Sequence, residues 1–399
     1  MKKVLLLGGS YFQVPSVKKA KELGYYTITC DYLPDNPGHK FADEYHNVST
    51  TDKEAVLQLA QKLQIDGIVC YASDPAAPTA AYVAEKMGLA GHPFESVEIV
   101  SKKDLFRKFL TENGFNVPFA QGYTNAADAI KDWKLFKKPV MVKPVDSSGS
   151  KGITKIYDAE KLSEAIDYAL SFSRDKRVVI EEYVESFTDP INGDGFSVDG
   201  ELVFSCFAGQ YFSPHVPNPF TPVSSIWPNR MSQELHHKVH EEFQKALTLL
   251  NMQSGPYNFE ARIDKDGKVY LMEIGTRNGG NLGPQAIGHA TGIDMVEYTI
   301  KAAMGEDCSD LKYTPAKKCC AYYVVHSLEN GKFKEVIIDE NFRKNNIIEY
   351  HLMKKAGDEV TTLSGSNATV GIMILGFDNP EDAYAKMEIM DNLVKVTVE

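Results

Sequence analysis

The first hundred residues alternate two kinds of apolar pattern. Short unbroken runs, "KVLLLG" at 3–8, "YTITCD" at 26–31 and "IDGIVCY" at 65–71, suit strands buried on both faces. Between them "PSVKKAKELG", "TDKEAVLQLAQKLQ" and "AAPTAAYVAEKMGL" repeat apolar positions at helical spacing. Gly24 is a natural stop for the first of these helices, and Thr51 or Asp52 a natural cap for the second. Strands alternating with helices predict a doubly wound α/β domain over residues 1–100.

After residue 100 the pattern changes. "SKKDLFRKFLTENGFNV" predicts one helix ending at Gly114, and "KKPVMVKPVDSSGSKGITKI" predicts a strand, a loop of small residues and a second strand. "AEKLSEAIDYALSFS" is an amphipathic helix, and "RVVIEEYV" a strand. "FSVDGELVFSCF" is a hairpin turning at Asp199-Gly200. "SQELHHKVHEEFQKALTLLN" is a long helix, with His236, His237 and His240 expected in solvent. "NFEARIDKDGKVYLMEIG" is a second hairpin, and "IDMVEYTIKAAMG" a helix. Strand-like runs such as "CCAYYVVHS" and "TVGIMILGF" precede a final helix and strand. The expected organisation is an α/β domain at 1–100, α+β units at 101–190 and 191–308, and a small α+β domain at 309–399.

Composition narrows the partners. Lys and Arg number 43 against 54 Asp and Glu, a net charge of −11 that argues against a general nucleic-acid or membrane-surface binder. No apolar run approaches membrane length. The 6 cysteines include no C-x-x-C pair, which suits buried reduced thiols and a cytoplasmic location. After the first strand stands "GGSYFQVPS" rather than G-x-G-x-x-G, so the nicotinamide-dinucleotide fingerprint is absent.

Three stretches carry chemistry. The second hairpin puts Glu260 and Glu273 on one face, opposed directly or diagonally, where two like charges repel. A hard divalent cation such as Mg²⁺ or Mn²⁺ answers that repulsion, because it takes one or two carboxylates together with substrate phosphates; two surface acids are the plainer alternative. Lys143 ends an apolar strand before Ser147, Ser148, Gly149, Ser150, Lys151 and Gly152. Small residues let backbone N–H groups close around an anion, and the lysine adds a point charge. The third stretch is "RVVIEEYV", whose weight lies in following that loop.

In order, Lys103 in "SKKDLFRKFLTENG", Lys143 before "SSGSKG", Glu181 in "VVIEEYV", Glu260 in "NFEARI" and the run "MEIGTRNGG" resemble the ATP-grasp superfamily of carboxylate–amine ligases. The likeness spans the chain and is greatest to the branch with L-amino-acid ligases, glycinamide ribonucleotide synthetase, and the carbamoyl-phosphate synthase and biotin carboxylase modules. It implies a Rossmann-like domain before the grasp, a lid subdomain with a linker helix at 101–190, a metal-bearing subdomain at 191–308 and the small C-terminal domain. It implies ATP with Mg²⁺ as cofactors. Lys103 and Lys143 would contact phosphates, with Lys143 reaching toward adenine as well. The 147–152 loop would close over the β- and γ-phosphates. Glu181 would lie beside the adenine amino group, and the Glu182 and Val184 backbones would read the adenine edge. Glu260 and Glu273 would hold the metal, and Arg277 would stabilise charge in acyl transfer.

Two departures stand out. The family's usual Asn two residues after the second metal acid is Gly275 here, with Asn278 and Asn281 as candidate substitutes. The segment after the adenine hinge is longer than usual, leaving Asp189 as the candidate ribose ligand. The implied reaction is ADP-forming: ATP phosphorylates a small carboxylic acid or amino acid, and an amine attacks the acyl phosphate. The alternatives are a glycinamide ribonucleotide synthetase-like or bicarbonate-activating enzyme, or a nucleotide-binding module without turnover. Ser73 and Asp74 are candidates for holding the amine, and His215 and Arg230, with Arg277, for gripping a carboxylate. The partners expected are small molecules, with a homodimer as a candidate assembly.

Overall fold

A computed structural model describes residues 1–399. Strands β1 (Lys3–Leu7), β2 (Tyr26–Cys30), β3 (Glu44–His46) and β4 (Gly67–Cys70) form a parallel sheet in the order β3-β2-β1-β4. Leu5, Leu7, Ile28 and Ile68 enter one core, while Val4, Leu6 and Val69 enter another on the opposite face with Ile300. Both faces are therefore covered, which is why the strands read as unbroken apolar runs. The order reverses between β1 and β4, and the loops after these two strands flank the crevice expected at such a switch point. They bring Phe12 and Asp74 to it.

The helix expected from residue 101 is broken. Lys102 is extended (φ −120°, ψ 113°), separating helix Phe94–Ser101 from helix Lys103–Glu112. Lys103 thus opens a helix, and its N–H donates to Val145 O at 2.9 Å. Strands β5 (Ala120–Tyr123), β6 (Val140–Pro144), β7 (Thr154–Ile156) and β8 (Val178–Glu182) form an antiparallel sheet in the order β5-β8-β6-β7. Val140, Val142, Val178 and Ile180 pack toward helix Leu162–Phe172. Alternation sends Lys143 and Glu181 to the other face.

Strands β9 (Ile191–Val198), β10 (Glu201–Tyr211), β11 (Ser224–Trp227), β12 (Gly255–Ile263), β13 (Val269–Gly275), β14 (Cys319–Val325), β16 (Ile347–Leu352) and β18 (Gly371–Phe377) make one sheet, ordered β13-β12-β9-β10-β11-β14-β18-β16. It runs straight across residue 308. The last ninety or so residues extend this sheet and share its core, where Phe196 and Trp227 join Tyr323 and Ile374. Strands β15 (Gly331–Ile338), β17 (Glu359–Val360) and β19 (Val394–Val398) form a small sheet beside it.

Helix Gln233–Leu249 corrects the expectation for its histidines. His236, Val239, His240 and Phe243 fall at i, i+3, i+4 and i+7, the stripe that faces the sheet. The His236 ring lies 4.9 Å from Phe207, and His240 Nδ1 is 3.0 Å from Ser205 Oγ. Of the three, only His237 stands in solvent. All six cysteines are free and buried. No helix is long and apolar enough to cross a membrane.

Candidate active site

A cleft of about 290 Å³ lies between the four-stranded antiparallel sheet and the eight-stranded sheet. Lys143 and residues 147–150 line it from the first, Glu260 and Glu273 from the second, and Lys103, Asp74 and Arg277 complete it.

On the side of the four-stranded antiparallel sheet the centre is Glu181, only 1% exposed. Its Oε1 is 2.5 Å from Lys143 Nζ, and its Oε2 accepts from Arg107 Nε at 2.8 Å. Arg107, 3% exposed, also donates to Met272 O at 3.0 Å. Burial alone would raise the Glu181 carboxyl, but Arg107 and then Lys143 overcome it and hold the acid at about 2. Lys143 goes the other way: burial, helped by Arg107, pulls its ammonium below the ordinary value despite Glu181. The same burial is thus overcome at the acid and prevails at the lysine. Sequence reading missed Arg107, although it lies one turn after Lys103 and so on the same helix face. The Glu182 carboxylate accepts from Lys137 N, and the Val184 carbonyl from Arg262. The Val184 N–H makes no hydrogen bond within the chain.

The phosphate-loop candidates close on the opposite wall. Gly149 (φ 65°), Ser150 (φ 59°) and Gly152 (φ 73°) adopt left-handed backbone. A Cβ on Gly149 would lie 2.4 Å from Ser366 Oγ, so only glycine fits that approach. Ser150 Oγ donates to Phe220 O at 2.8 Å, and Asn218 Nδ2 donates to Ser150 O at 3.0 Å. Lys103 Nζ donates to Ser147 O at 3.1 Å. The Pro- and aromatic-rich segment before residue 230 therefore clasps this loop and supplies β11.

Glu260 and Glu273 pair directly across β12 and β13, as the hairpin pattern predicted. Lys103 Nζ stands 3.3 Å from Glu273 Oε2. Burial first, and then the charge of Glu273, push Glu260 up to about 7. Burial acts on Glu273 as well, but Lys103 and then Arg277 outweigh it and hold that carboxyl below its usual range. One carboxylate is thus left without enough positive charge. All-oxygen donors with a charge deficit are what a hard divalent cation requires, so the pair fits Mg²⁺.

Arg277 donates from Nε to Asp74 Oδ1 at 2.7 Å and from Nη1 to Asn278 O at 3.1 Å. A side chain at Gly275 would begin 3.1 Å from Asp74 Oδ1 and 3.2 Å from Arg277 Nε. The Asp74–Arg277 pair fills the space into which the family's Asn would extend. Asn278 is no substitute ligand, because it is fully buried and its Oδ1 accepts from Thr299 Oγ1. Asn281 does line the cleft.

Four other expectations are redirected. Asp189 and Arg230, assigned to ribose and to a carboxylate, grip each other at 2.6 and 2.8 Å, with the guanidinium over the Tyr384 ring. His215 is 60% exposed at 3.9 Å from Asp391. Neither His215 nor Arg230 lines the cleft with Arg277. The Ser73 carbonyl accepts from Cys70 Sγ behind the cleft wall. Asp194 and Asn192 were missed. The signal was there in "INGDGF", whose two polar side chains share a strand face with Asn258 and Glu260.

Residues 136–285 match the family model described as "ATP-grasp domain". An uncharacterized protein, y4rH, from Sinorhizobium fredii is 28% identical over 67% of this chain and 55% of its own length. The C-terminal section of the carbamoyl phosphate synthase large chain from Aquifex aeolicus is 22% identical over 78% of this chain and 59% of its own. The chain therefore spans little more than half of these relatives. The crystal structure of an L-amino acid ligase from Bacillus licheniformis superposes with a TM-score of 0.82 at 20% identity, covering 100% of this chain and 99% of that one. That likeness establishes the fold.

Proposed function

We propose that this chain, which carries an ATP-grasp domain, is an ADP-forming ligase that joins a small carboxylic acid to an amine. The observation that carries this reading is the Glu260–Glu273 pair, two half-buried, directly opposed carboxyl groups short of positive charge that share one cleft with Lys103, Lys143 and a glycine-bearing loop. Lys103 and Lys143 hold phosphate oxygens, and the 147–152 loop covers them from water. The free Val184 N–H suits an acceptor on a purine edge. A divalent cation held by Glu260 and Glu273 neutralises phosphate charge when bound. The substrate carboxylate attacks the terminal phosphorus, the bond to ADP breaks, and an acyl phosphate forms. The amine nitrogen then bonds to the acyl carbon, the bond from that carbon to the phosphate oxygen breaks with its electron pair leaving on phosphate, and the nitrogen gives up one proton, which the departing phosphate can take. Arg277, fixed by Asp74, faces the acyl oxygen on which negative charge develops. Catalysis is positioning and charge neutralisation. The six buried thiols support a reducing, cytoplasmic setting.

The test is a pooled screen of acids and amines for ADP release, with mass spectrometry of the product. ADP that requires one acid and one amine, with a condensed product, supports the reading. ADP release that requires only bicarbonate moves the chain to carboxylase-like chemistry, and ATP binding with no ADP under any pair leaves a nucleotide-binding module.

A further inference from the structure

Beyond the metal pair the cleft continues to Asp194, which is 1% exposed. Its oxygens accept from the Gly279 N–H at 2.9 and 3.1 Å and from Asn258 Nδ2 at 3.0 Å. All these donors are neutral. No lysine, arginine or histidine pairs with it, and the nearest cation, Arg277, is spent on Asp74 and a backbone carbonyl. Two residues earlier on the same strand face is Asn192, whose buried Oδ1 has no partner. A buried carboxylate without a cation beside an unused carbonyl oxygen is costly unless something supplies positive charge and several donors together. A protonated amine does both, with three N–H groups on one charge. Trp227 and Tyr322 also line the cleft and give it an apolar wall. Burial pushes Asp194 up to about 6 against the pull of Gly279, Asn258 and Arg277, the mark of a carboxylate short of charge.

We propose that Asp194 and Asn192 form a subsite for the ammonium group of a substrate, which makes that substrate an amine or amino acid with an apolar body. This rests on the ligase reading and narrows its substrate class.

The test reads binding without turnover. Thermal unfolding of the full chain is measured with Mg²⁺ and a non-hydrolysable ATP analogue. L-leucine, isopentylamine or isocaproate is then titrated in. L-leucine should raise the unfolding temperature and isocaproate should not. A response to isopentylamine as well would mean that the ammonium alone suffices, whereas a response to L-leucine alone would assign an amino acid. Asp194→Asn keeps the acceptor for Gly279 but removes the charge. It should keep the nucleotide response and weaken the L-leucine response at least tenfold; Asn192→Ala should weaken it several-fold. If isocaproate matches L-leucine, if neither ammonium compound binds, or if Asp194→Asn binds like wild type, the subsite is wrong. A chain that binds L-leucine through Asp194 yet releases no ADP keeps the subsite and loses the ligase reading. A chain that turns over with amine affinity indifferent to Asp194 does the reverse.

Discussion

Two acid centres, one buried behind Lys143 and one half-buried in the cleft wall, solve the same problem differently. Glu181 sits between Arg107 and Lys143 and needs nothing more. Glu260 sits opposite Glu273, and the two share the pull of Lys103, with Lys143 farther off. Local cations hold the first acid at about 2, whereas burial and a like charge push Glu260 to about 7. Neighbouring carboxylates thus separate into one that is satisfied by the protein and a pair that is not. A satisfied acid fixes geometry; an unsatisfied pair marks where a cation from solution belongs.

The sharpest way to break this comparison is to neutralise one acid on each side. Glu181→Gln leaves Arg107 and Lys143 buried beside a neutral amide, and removing one partner of such a cluster costs about 3–5 kcal/mol. Urea unfolding without nucleotide measures it; a loss below about 1 kcal/mol would mean that Glu181 does not hold Arg107 and Lys143 in place. Glu273→Gln should do the opposite. Without metal it relieves the repulsion on Glu260 but gives up the ion pair with Lys103, so stability should stay within about 1 kcal/mol of wild type. Turnover should fall at least about a hundredfold, roughly 3 kcal/mol at the transition state, and the stabilisation by Mg-ATP should shrink with it. A Glu273→Gln protein with wild-type turnover and an unchanged Mg-ATP response would reduce the pair to ordinary charges.

pH separates the centres without mutation. Glu260 binds its proton more tightly folded than unfolded, since its pKa rises from 4.5 to about 7. Its contribution to stability is present below about 4.5 and is lost as pH rises through 7, by no more than about 3 kcal/mol. Glu181 is depressed, so its contribution is present above about 4.5 and is lost as pH falls toward 2. Asp194, raised to about 6, adds a decline of its own over the lower part of the range. Metal-free protein should therefore lose stability between pH 5 and 7.5, Glu260→Gln should flatten the part nearest 7, and Mg-ATP should remove that part. A slope that survives both changes belongs to another group.

How much of this was legible depended on the range of the signal. The hairpin acids, the Lys143 loop and the parallel strands are local: period, turn residues and flanking apolar runs were enough to pair Glu260 with Glu273. The Lys102 break was not, because a single extended residue leaves the helical spacing of "KKDLFRKFL" unchanged. His236 and His240 were misjudged because their polarity outweighed their place on the Val239–Phe243 stripe. Asp189 and Arg230 were assigned separately, and nothing local says that they meet across 41 residues. The boundary at 308 hid a sheet whose strands β11 and β14 lie almost a hundred residues apart. Asp74 was marked for a different role, and its union with Arg277 depends on two domains packing together.

That union carries the smallest and most specific prediction. Gly275 stands where the sequence resemblance leads one to expect a metal-binding Asn, and Gly275→Asn looks from sequence like a repair. The structure argues against it. The first side-chain carbon would lie 3.1 Å from Asp74 Oδ1 and 3.2 Å from Arg277 Nε, closer than comfortable packing. The Asp74–Arg277 pair must yield, at about 1 kcal/mol of stability, and Arg277 loses the group that aims it. Gly275→Asn should therefore lower turnover and leave the Mg²⁺ requirement no tighter. Asp74→Ala on its own should also lower turnover, since it releases Arg277. The decisive comparison is the double variant: with Asp74 shortened, the new Asn has room, so Gly275→Asn should cost less in the Asp74→Ala background than in wild type. Strict additivity of the two changes in unfolding free energy, or tighter Mg²⁺ use by Gly275→Asn alone, would show that Asp74 does not hold the place of that ligand.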